Sequence, residues 1–304
     1  MICKVCESDK YNKIGEIKGI WKENKNIYQC EKCFLYFIES PSDEEIYLLY
    51  KNEYHNSIKN KIFEFAKSKM RYSRCLNQFN FIKANINCDN KKVCEIGAFD
   101  GLLLNIFKNN KCEVHGYELN DRAREYAKNK YNIYLKQNFL EDNQKYDIII
   151  LSHVIEHFKE PKEILLKIKS MLNDNGFIYI EVPNSPMINQ SKNQCSHETL
   201  IKYLTTTHTV NFNIDNLKTF VESGGFKIIK YQYYDYNVNK SNEKLKISLL
   251  EGGFPSFDNL FNFLLIALKT IIYPKSVFIN YDDNKNIWSY GENIRIIAKE
   301  QIFE

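Results

Sequence analysis

One nine-residue stretch, Val93–Gly101, constrains the fold of this chain more than any other. It begins with β-forming residues that end in Glu95, turns through Gly97 and Gly101, and continues into the apolar run Leu102–Phe107. This pattern predicts a strand, a glycine turn and a helix. Glycines let a ligand approach the backbone closely, and the start of a helix offers unpaired N–H donors. We therefore expect a nucleotide-like ligand at this turn.

A second carboxylate follows at the end of the next predicted strand. Glu118 lies 23 residues after Glu95 and closes the segment Glu113–Glu118. In nucleotide-binding βαβ units, a carboxylate roughly 20 residues further along the chain binds the ribose hydroxyls. Glu118 is therefore the predicted ribose ligand.

The turn itself distinguishes between possible cofactors. Gly97 and Gly101 are separated by three residues, so the dinucleotide pattern G-x-G-x-x-G is absent here. Asp100 adds a negative charge that would repel a pyrophosphate and attract a cation. The pattern favours S-adenosylmethionine, a phosphate-free sulfonium, over a nicotinamide dinucleotide.

Strands and helices alternate from residue 91 onward, which predicts an α/β fold with a parallel sheet covered on both faces. The predicted strands are Lys92–Ile96, Cys112–Glu118, Ile133–Gln137, Tyr146–Leu151, Gly176–Val182 and Phe226–Tyr231, with helices at Leu102–Asn109, Arg122–Lys130, Lys162–Leu172 and Ile214–Ser223. Two last strands, Tyr231–Tyr236 and Asn293–Lys299, are expected to form a closing hairpin around a helical insertion at about 237–291. Within it, the apolar helix Leu260–Tyr273 needs a partner surface, either the preceding helices or a second copy of the chain.

The first 40 residues are predicted to form a separate module. Cys3-x-x-Cys6 and Cys30-x-x-Cys33 are two knuckles separated by 23 residues. Four thiolates in this spacing predict a tetrahedral zinc site, and four protein ligands favour a structural role over a catalytic one. We expect a zinc ribbon over residues 1–40 with short strands at Tyr11–Ile17 and Asn26–Tyr28.

Residues 41–90 predict a helical bridge between the ribbon and the core, which extends over 91–304. Ser42-x-x-Glu45 is a capping box that begins a first helix, and apolar residues at helical spacing predict a second helix over Lys61–Ala84. Packing on the sheet is the expected role of this second helix. Tyr50 and Tyr54 lie between the helices and are candidates for a lid over the cofactor.

Charge and composition narrow the possible partners. A net charge of +4 over 304 residues, without a basic stripe, argues against a nucleic-acid binder. The apolar run Phe263–Leu268 is far shorter than the roughly 20 residues of a membrane span, and no signal peptide precedes Cys3. We expect a soluble, cytoplasmic monomer or homodimer that acts on a small molecule.

The motifs resemble those of a known superfamily. Glu95–Gly101, followed by three leucines, is similar to motif I of class I S-adenosylmethionine-dependent methyltransferases, and Leu151–Pro161 resembles the signature after their fourth strand. The ribbon and His208–Asn213 resemble the zinc-containing C-methyltransferases of nucleotide-linked deoxysugars, which carry H-x-x-x-F-S after strand 5. The resemblance covers residues 1 to about 230 and implies a Rossmann-like seven-stranded methyltransferase sheet with an amino-terminal zinc ribbon.

This resemblance and the turn pattern together define the candidate site. Expected cofactor contacts are Glu95, Gly97, Ala98, Phe99, Gly101, Glu118, Leu119, Asn138, Phe139, Ser152 and His153. Asn138 would bind the adenine amino group with Phe139 against the ring, and Ser152 and His153 would lie near the methyl group. His208 is the first candidate for the general base and His153 the second, because an imidazole accepts protons near neutral pH.

Weaker candidates surround the acceptor. Tyr50, Tyr54, His157, His197 and Glu198 are possible substrate contacts. His157 is expected chiefly to organise the chain after the fourth strand; with Glu156 it could hold a metal ion, although two ligands are weak evidence.

The expected reaction is methyl transfer from S-adenosylmethionine to a hydroxyl or carbon of a sugar-type acceptor, either a nucleotide-linked sugar or a surface-polysaccharide precursor. O- or N-methylation of a non-sugar small molecule is the first alternative. Two further alternatives are a ribbon-bearing RNA methyltransferase and a cofactor-binding scaffold without activity.

Overall fold

The computed structural model describes residues 1–17, 23–42, 44–45, 61–185, 207–236, 278–281 and 293–301. The strands are β1 (Tyr11–Ile17), β2 (Lys25–Cys30), β3 (Tyr36–Ile38), β4 (Lys92–Ile96), β5 (Glu113–Tyr117), β6 (Tyr146–Ser152), β7 (Leu172–Pro183), β8 (Val210–Asn211), β9 (Phe226–Tyr236), β10 (Phe278–Tyr281) and β11 (Asn293–Glu300). The helices are α1 (Lys61–Asn85), α2 (Leu102–Asn109), α3 (Asp121–Tyr131), α4 (Pro161–Ser170) and α5 (Ile214–Ser223), with a 3-10 turn at Ile155–His157.

Over these ranges, seven strands form the central sheet in the order β10-β9-β11-β7-β6-β4-β5. Strands β7, β6, β4 and β5 are parallel, whereas β11 runs antiparallel between β7 and β9. The run Ile148–Leu151 is fully buried because both faces of β6 are covered, as in α/β folds. The prediction of a mixed α/β fold with a central sheet is confirmed.

Each face of the sheet has its own apolar core. On one face α1 and α2 pack through Phe79 and Phe107, whose rings meet edge to face at 4.9 Å, over Val93 and Ile148. The other face is covered by α4, α5 and the amino-terminal module, which contributes Phe37. Burial on both faces fixes the register of the central strands, because a slip by one residue would exchange the two sets of side chains.

A second, smaller sheet joins the amino-terminal module to the core. Strands β1, β2 and β3 form an antiparallel meander, and β3 pairs with β8, so that Tyr36 lies opposite Asn211 and Phe37 opposite Val210. The strands predicted at Tyr11–Ile17 and Asn26–Tyr28 are present. The sequence did not indicate that a core segment would complete their sheet.

Local signals determine where several helices begin. Ser42 and Glu45 form the predicted capping box through reciprocal bonds between backbone N–H groups and side-chain oxygens of 2.8 and 3.1 Å. Asn213 and Asn216 form a similar box at the start of α5. The helices predicted at Lys61–Ala84, Leu102–Asn109 and Ile214–Ser223 are confirmed to within one residue.

Three predicted elements are wrong. The segment Ile133–Gln137 is not a strand: the Ile133 N–H still bonds back to Ala127 at the end of α3, and only Lys136 makes an isolated bridge to β5. The strands predicted on either side of Tyr231 are one continuous strand, β9. The insertion predicted as helical contains a strand, β10, which pairs with β9.

The remaining structural predictions lie outside the described residues. They comprise the lid tyrosines Tyr50 and Tyr54, the loop residues His197 and Glu198, and the apolar helix at 260–273. Among the helices that are described, none is long and apolar enough to cross a lipid bilayer.

Candidate functional site

The glycine turn after β4 adopts backbone angles that its sequence requires. Gly97 has φ +72° and Gly101 has φ +74°, in the left-handed region that glycine adopts without steric cost. A Cβ on Gly97 would lie 2.5 Å from Val154 Cγ2, which is too close for any side chain. Phe99 also has a positive φ of 47°. The turn is therefore tightly packed against the loop that follows β6.

Five backbone N–H groups of this turn are already bonded within the protein, although the helix start was expected to offer unpaired donors. Gly97 and Ala98 both donate to the Tyr117 carbonyl, at 2.8 and 2.9 Å. Phe99 donates to a carboxylate oxygen of Glu118, at 2.9 Å. Two further donors are used: Gly101 N–H bonds to Ala98 O, and Leu102 N–H bonds to the Asp100 carboxylate.

Glu118 is held at the mouth of the sheet by two backbone donors. Its Oε2 accepts from Phe99 N and its Oε1 from Asn120 N, at 2.9 and 2.8 Å. The residue is 9% exposed. A carboxylate oriented by two amides still has acceptor positions for ligand hydroxyls.

Glu95 is buried at the end of β4, and its Oε2 has no hydrogen-bond partner among the described residues. Burial raises the pKa of this carboxyl to about 8; Asp100 and Glu118 add to the rise, while Arg71 and Arg74 oppose it. A buried carboxyl with an unused oxygen beside a glycine turn is a candidate contact for a cationic ligand.

Asp100 is already paired, which corrects the expectation of an open negative charge. Arg71 Nη2 lies 2.8 Å from Asp100 Oδ1, and the same guanidinium stacks 4.3 Å from the centre of the Phe99 ring. Asp100 therefore fixes the turn and α1 together, and Glu95 and Glu118 are the acids left to face a ligand.

The predicted adenine contacts differ in exposure. Asn138 is exposed and bonds to the neighbouring Glu141 and Leu140, and Leu119 is 56% exposed. Phe139 is buried in the core, where its ring lies edge to face against Tyr117 and Phe158. Its packing there is structural, and the roles of Asn138 and Leu119 stay predictions.

A polar network lies beneath the end of β6. Arg74 and Gln78 from α1 both donate to Ser152 Oγ and to Glu181 Oε1, with the two bonds to Glu181 at 2.9 and 2.7 Å. Tyr179 donates to the other oxygen of Glu181. Burial alone would raise the pKa of Glu181, but Arg74 and His153 hold it well below its usual range.

His153 follows this network directly. It has a positive φ of 54°, and its Nε2 lies 3.2 Å from Glu181 Oε1. Its side chain remains 25% exposed. Burial, followed by Arg74, lowers the pKa of His153.

Three further side chains meet beside His153. Glu156, His157 and His208 each place a ligand-type atom within 4.8 Å of the others. The rings of His157 and His208 meet edge to face at 4.7 Å. Burial raises the pKa of Glu156 to about 8 and lowers the pKa of His157 to about 4 and of His208 to about 3.

The four cysteines of the amino-terminal module converge as the spacing predicted. Their sulfur atoms all lie within 4.8 Å of one another, with Cys3 Sγ–Cys33 Sγ and Cys6 Sγ–Cys30 Sγ both at 3.5 Å. Four thiols at such separations fit the donor set of a closed tetrahedral zinc site.

Comparison with known proteins identifies the core. Residues 67–231 match a family described as a methyltransferase domain, and this is more than half of the 304 residues. The chain belongs to this methyltransferase family. The prediction of an S-adenosylmethionine-dependent methyltransferase is confirmed at the level of the family.

The individual proteins that this methyltransferase resembles share only a modest part of its sequence. It is 31% identical over 108 residues to a ubiquinone biosynthesis O-methyltransferase from Glaesserella parasuis, in a match that covers 31% of this chain and 46% of that protein. The chain thus spans about half the length of this curated relative.

Two solved structures resemble the methyltransferase. One is an S-adenosylmethionine-dependent methyltransferase from Archaeoglobus fulgidus, with TM-score 0.46 and 19% identity over 84% of this chain and 99% of that one. The other is magnesium protoporphyrin IX methyltransferase from Synechocystis, solved with bound S-adenosylhomocysteine, with TM-score 0.47 and 12% identity over 83% and 93%.

Some residues of the candidate site are not indicated by the sequence. Arg74 and Gln78 are one helical turn apart on α1, a helix for which the sequence predicts only packing on the sheet, and Glu181 lies in the predicted strand Gly176–Val182. A charged residue inside a strand that is buried on both faces was a usable signal, because such a charge requires a partner.

Proposed function

We propose that this methyltransferase transfers a methyl group from S-adenosylmethionine to a hydroxyl of a small sugar-type acceptor. One observation carries the choice of cofactor: the amides of Gly97, Ala98, Phe99, Gly101 and Leu102, which could otherwise cradle a phosphate, are already bonded within the protein. A turn that has used these donors is a poor pyrophosphate site. Two buried glutamates beside it, Glu95 and Glu118, suit a cation that carries a ribose.

Each cofactor contact has a defined part in this proposal. Glu118 accepts hydrogen bonds from the ribose hydroxyls, and Glu95 faces the positively charged methionine end. The backbone of Gly97–Gly101 lines the cofactor, with Ala98 and Phe99 between the glycines. Asn138 and the exposed Leu119 border the adenine. Ser152 lies near the methyl group.

The reaction is an in-line displacement at the methyl carbon. The acceptor oxygen forms the new C–O bond, the C–S bond breaks, and its electron pair stays on sulfur to give neutral S-adenosylhomocysteine. The protein has to align the acceptor and receive its proton. His153 is partly exposed at the end of β6, whereas His208 is buried, so we place His153 nearest the acceptor. This reverses the order expected from the sequence.

Two observations support parts of this proposal. The curated relative is named as an O-methyltransferase, which favours oxygen as the methylated atom. The four-cysteine module beside the core resembles the arrangement in nucleotide-sugar C-methyltransferases, which favours a sugar as the acceptor but not oxygen over carbon. Methylation at carbon, or at oxygen or nitrogen of a non-sugar molecule, uses the same cofactor site and is an alternative outcome of the experiments below.

We also propose that Cys3, Cys6, Cys30 and Cys33 bind a structural zinc ion. All four ligands come from the protein, so no coordination position is left for a substrate. The role of this ion would be to hold the module that carries β3 against β8.

Calorimetric titration tests the cofactor site. The protein should bind S-adenosylmethionine and not NAD; preference for NAD would reject the proposal. Glu118→Ala should weaken S-adenosylmethionine binding by roughly 10–100-fold, because a hydrogen bond to a charged group is worth about 1.5–3 kcal/mol. Glu113→Ala is the matched control, since Glu113 lies exposed at the opposite end of β5 and should leave binding unchanged.

A panel of acceptors tests the reaction. Release of S-adenosylhomocysteine is measured with nucleotide-linked sugars, with catechols and amines, and with RNA. Turnover with the sugars supports the proposal. Turnover with catechols or amines instead would reject the sugar acceptor and favour a non-sugar one. Tight RNA binding that weakens steeply with salt would favour the RNA alternative.

A further inference from the structure

The residues Glu156, His157 and His208 form a cluster that methyl transfer as proposed above does not use. We propose that these three side chains bind a divalent transition-metal ion whose open positions accept oxygen atoms of the methyl acceptor. The second part rests on the proposed function; the metal site itself does not.

Glu156 supplies the first observation. It is 1% exposed, and neither carboxylate oxygen has a hydrogen-bond partner among the described residues. The nearest histidine nitrogen, Nδ1 of His153, lies 3.6 Å from Oε1, beyond hydrogen-bond distance. A buried carboxylate without donors is costly unless a cation or a proton satisfies it.

The two histidines are oriented in the way that metal ligands are. His157 Nδ1 lies 3.2 Å from the Thr207 carbonyl, and His208 Nδ1 lies 3.4 Å from the Asn211 side-chain oxygen. Both partner atoms are oxygens that accept hydrogen bonds, so each Nδ1 is placed to donate, and this is the tautomer in which Nε2 would ligate a metal. Metal-binding histidines use this arrangement, in which the second nitrogen donates to an oxygen and fixes the ring.

The backbone holds the ligands together before any ion binds. Glu156 and His157 are adjacent in the 3-10 turn, and His208 comes from a segment 51 residues later. Thr209 joins the two: its N–H donates to Glu156 O at 2.8 Å, and its hydroxyl donates to Phe158 O and lies 3.1 Å from Glu156 O. The cluster is therefore a preorganised site and not a chance contact of mobile side chains.

The donor set indicates which ion would fit. The ligand-type atoms lie within 4.8 Å of one another, and an ion about 2.1 Å from each would need them to close to roughly 3–4 Å. Two imidazoles and one carboxylate suit a transition metal better than Mg²⁺, which prefers oxygen ligands. Three protein ligands leave further positions open, so adjacent hydroxyls of an acceptor could bind there.

Titration with Mn²⁺ tests the site, with free Mn²⁺ followed by electron paramagnetic resonance. Mn²⁺ suits carboxylate and imidazole ligands and competes poorly for thiolates, so the four cysteines should not contribute. The protein should bind one Mn²⁺ per chain. Glu156→Gln and His157→Gln should each weaken binding at least about tenfold, the size of effect that even an outer-shell change produces. His115→Gln is the matched control, since His115 pairs with the exposed Glu113 away from the cluster.

Two outcomes would overturn the proposal. One is the absence of saturable Mn²⁺ binding in the wild type, which would mean that a proton satisfies Glu156. The other is undiminished binding in both variants. S-adenosylmethionine affinity, measured on the same samples, shows whether each variant is folded. A wild type that binds Mn²⁺ but no S-adenosylmethionine would reject the proposed function and keep the metal site.

Discussion

Of the glutamates buried near the ends of the central strands, Glu95, Glu156 and Glu181 have surroundings that give them different properties. Glu181 has Arg74 beside it and stays ionised, whereas Glu95 and Glu156 are raised in pKa by burial to about 8. A group that is buried without its counter-charge is typical of a ligand site. Glu181 therefore stabilises the fold through its ion pair, whereas Glu95 and Glu156 are candidates for contact with a ligand.

Glu95 should make cofactor binding release a proton. At pH 7 a carboxyl with a pKa of about 8 is mostly protonated, and a sulfonium placed beside it favours ionisation. Calorimetry at pH 7 in buffers of different ionisation enthalpy should show release of up to about 0.9 proton, and S-adenosylmethionine affinity should rise as the pH increases from 6 to 8.

Glu95→Gln should abolish this proton release, and neutral S-adenosylhomocysteine should release less in the wild type. Unchanged release in the variant would contradict the assignment.

The Glu95→Gln variant also tests how Glu95 affects the stability of the fold. Because the folded pKa lies above the unfolded value, ionisation destabilises the ligand-free fold as pH rises from about 4.5 to 8. Glu95→Gln should remove that decline in urea denaturation.

Gly97→Ala tests how tightly the turn is packed. The new methyl group would meet Val154 Cγ2 at 2.5 Å, and alanine at φ +72° is strained by about 1–2 kcal/mol. We expect a loss of roughly 2–4 kcal/mol in the free energy of unfolding, measured by urea denaturation. Val154→Ala should return part of that loss in the double variant. Strictly additive losses would show that the contact with Val154 is not the cause.

At the scale of elements, α1 is attached to the sheet through polar as well as apolar contacts. Phe79 packs on α2, while Arg74 and Gln78 reach Glu181 on β7. The ion pair lies where α1 crosses the end of β6. This helix thus fixes the floor of the site as well as covering one face of the sheet.

Arg74→Met should destabilise the protein by about 2–4 kcal/mol at pH 7, because it leaves the fully buried Glu181 without its cation. Glu181 has a lowered pKa, so its stabilising pair is present above about pH 4.5 and is lost as the pH falls. The difference in free energy of unfolding between the variant and the wild type, measured by urea denaturation, should therefore become smaller toward pH 4.

Arg71→Met is the matched control. Arg71 lies one turn away and pairs with the partly exposed Asp100, so its loss should cost less than about 1 kcal/mol. Equal losses in both variants would contradict this account.

Sequence patterns located elements well where one local signal dominated. The glycine turn, the capping box at Ser42, and the runs of strands β4 to β7 all rest on such signals. The segment Ile133–Gln137 has β-forming residues, but its start is held by the end of α3. Which segment a strand edge will pair with depends on tertiary contacts, so the pairing of β8 with β3 was not predictable.

Some features of the candidate site were also predictable from the sequence. Glu95 and Glu118, which belong to the motifs, lie at the ends of β4 and β5 as predicted, and their roles as cofactor contacts stay predictions. The partners of Asp100 and Glu181 come from α1, tens of residues away in sequence, and no spacing rule links them. His208 joins Glu156 only because Thr209 connects two distant segments.

Considered as a whole molecule, the four-cysteine module and the methyltransferase core share one sheet. Strand β3 pairs with β8, and Ile38 N–H bonds to Thr209 O at 3.1 Å. Thr209 in turn holds Glu156, next to His208. A change at the cysteines is therefore expected to reach the cluster of Glu156, His157 and His208 through β8. The glycine turn follows β4 and has no such direct link to the module.

Loss of the zinc proposed for the cysteines should loosen this connection. A chelator could also strip a metal from Glu156, so Cys6→Ser is the sharper change. Amide hydrogen exchange should become faster in β2, β3 and β8, including Val210, because the knuckles that anchor the meander separate. Mn²⁺ binding and methyl transfer should fall with it, while S-adenosylmethionine affinity stays within about twofold. Cys112→Ser is the control, since this buried thiol bonds to the Cys88 carbonyl away from the module. Unchanged exchange in β8 of Cys6→Ser would mean that the module does not support the site, and equal effects of both substitutions would point to a general loss of stability.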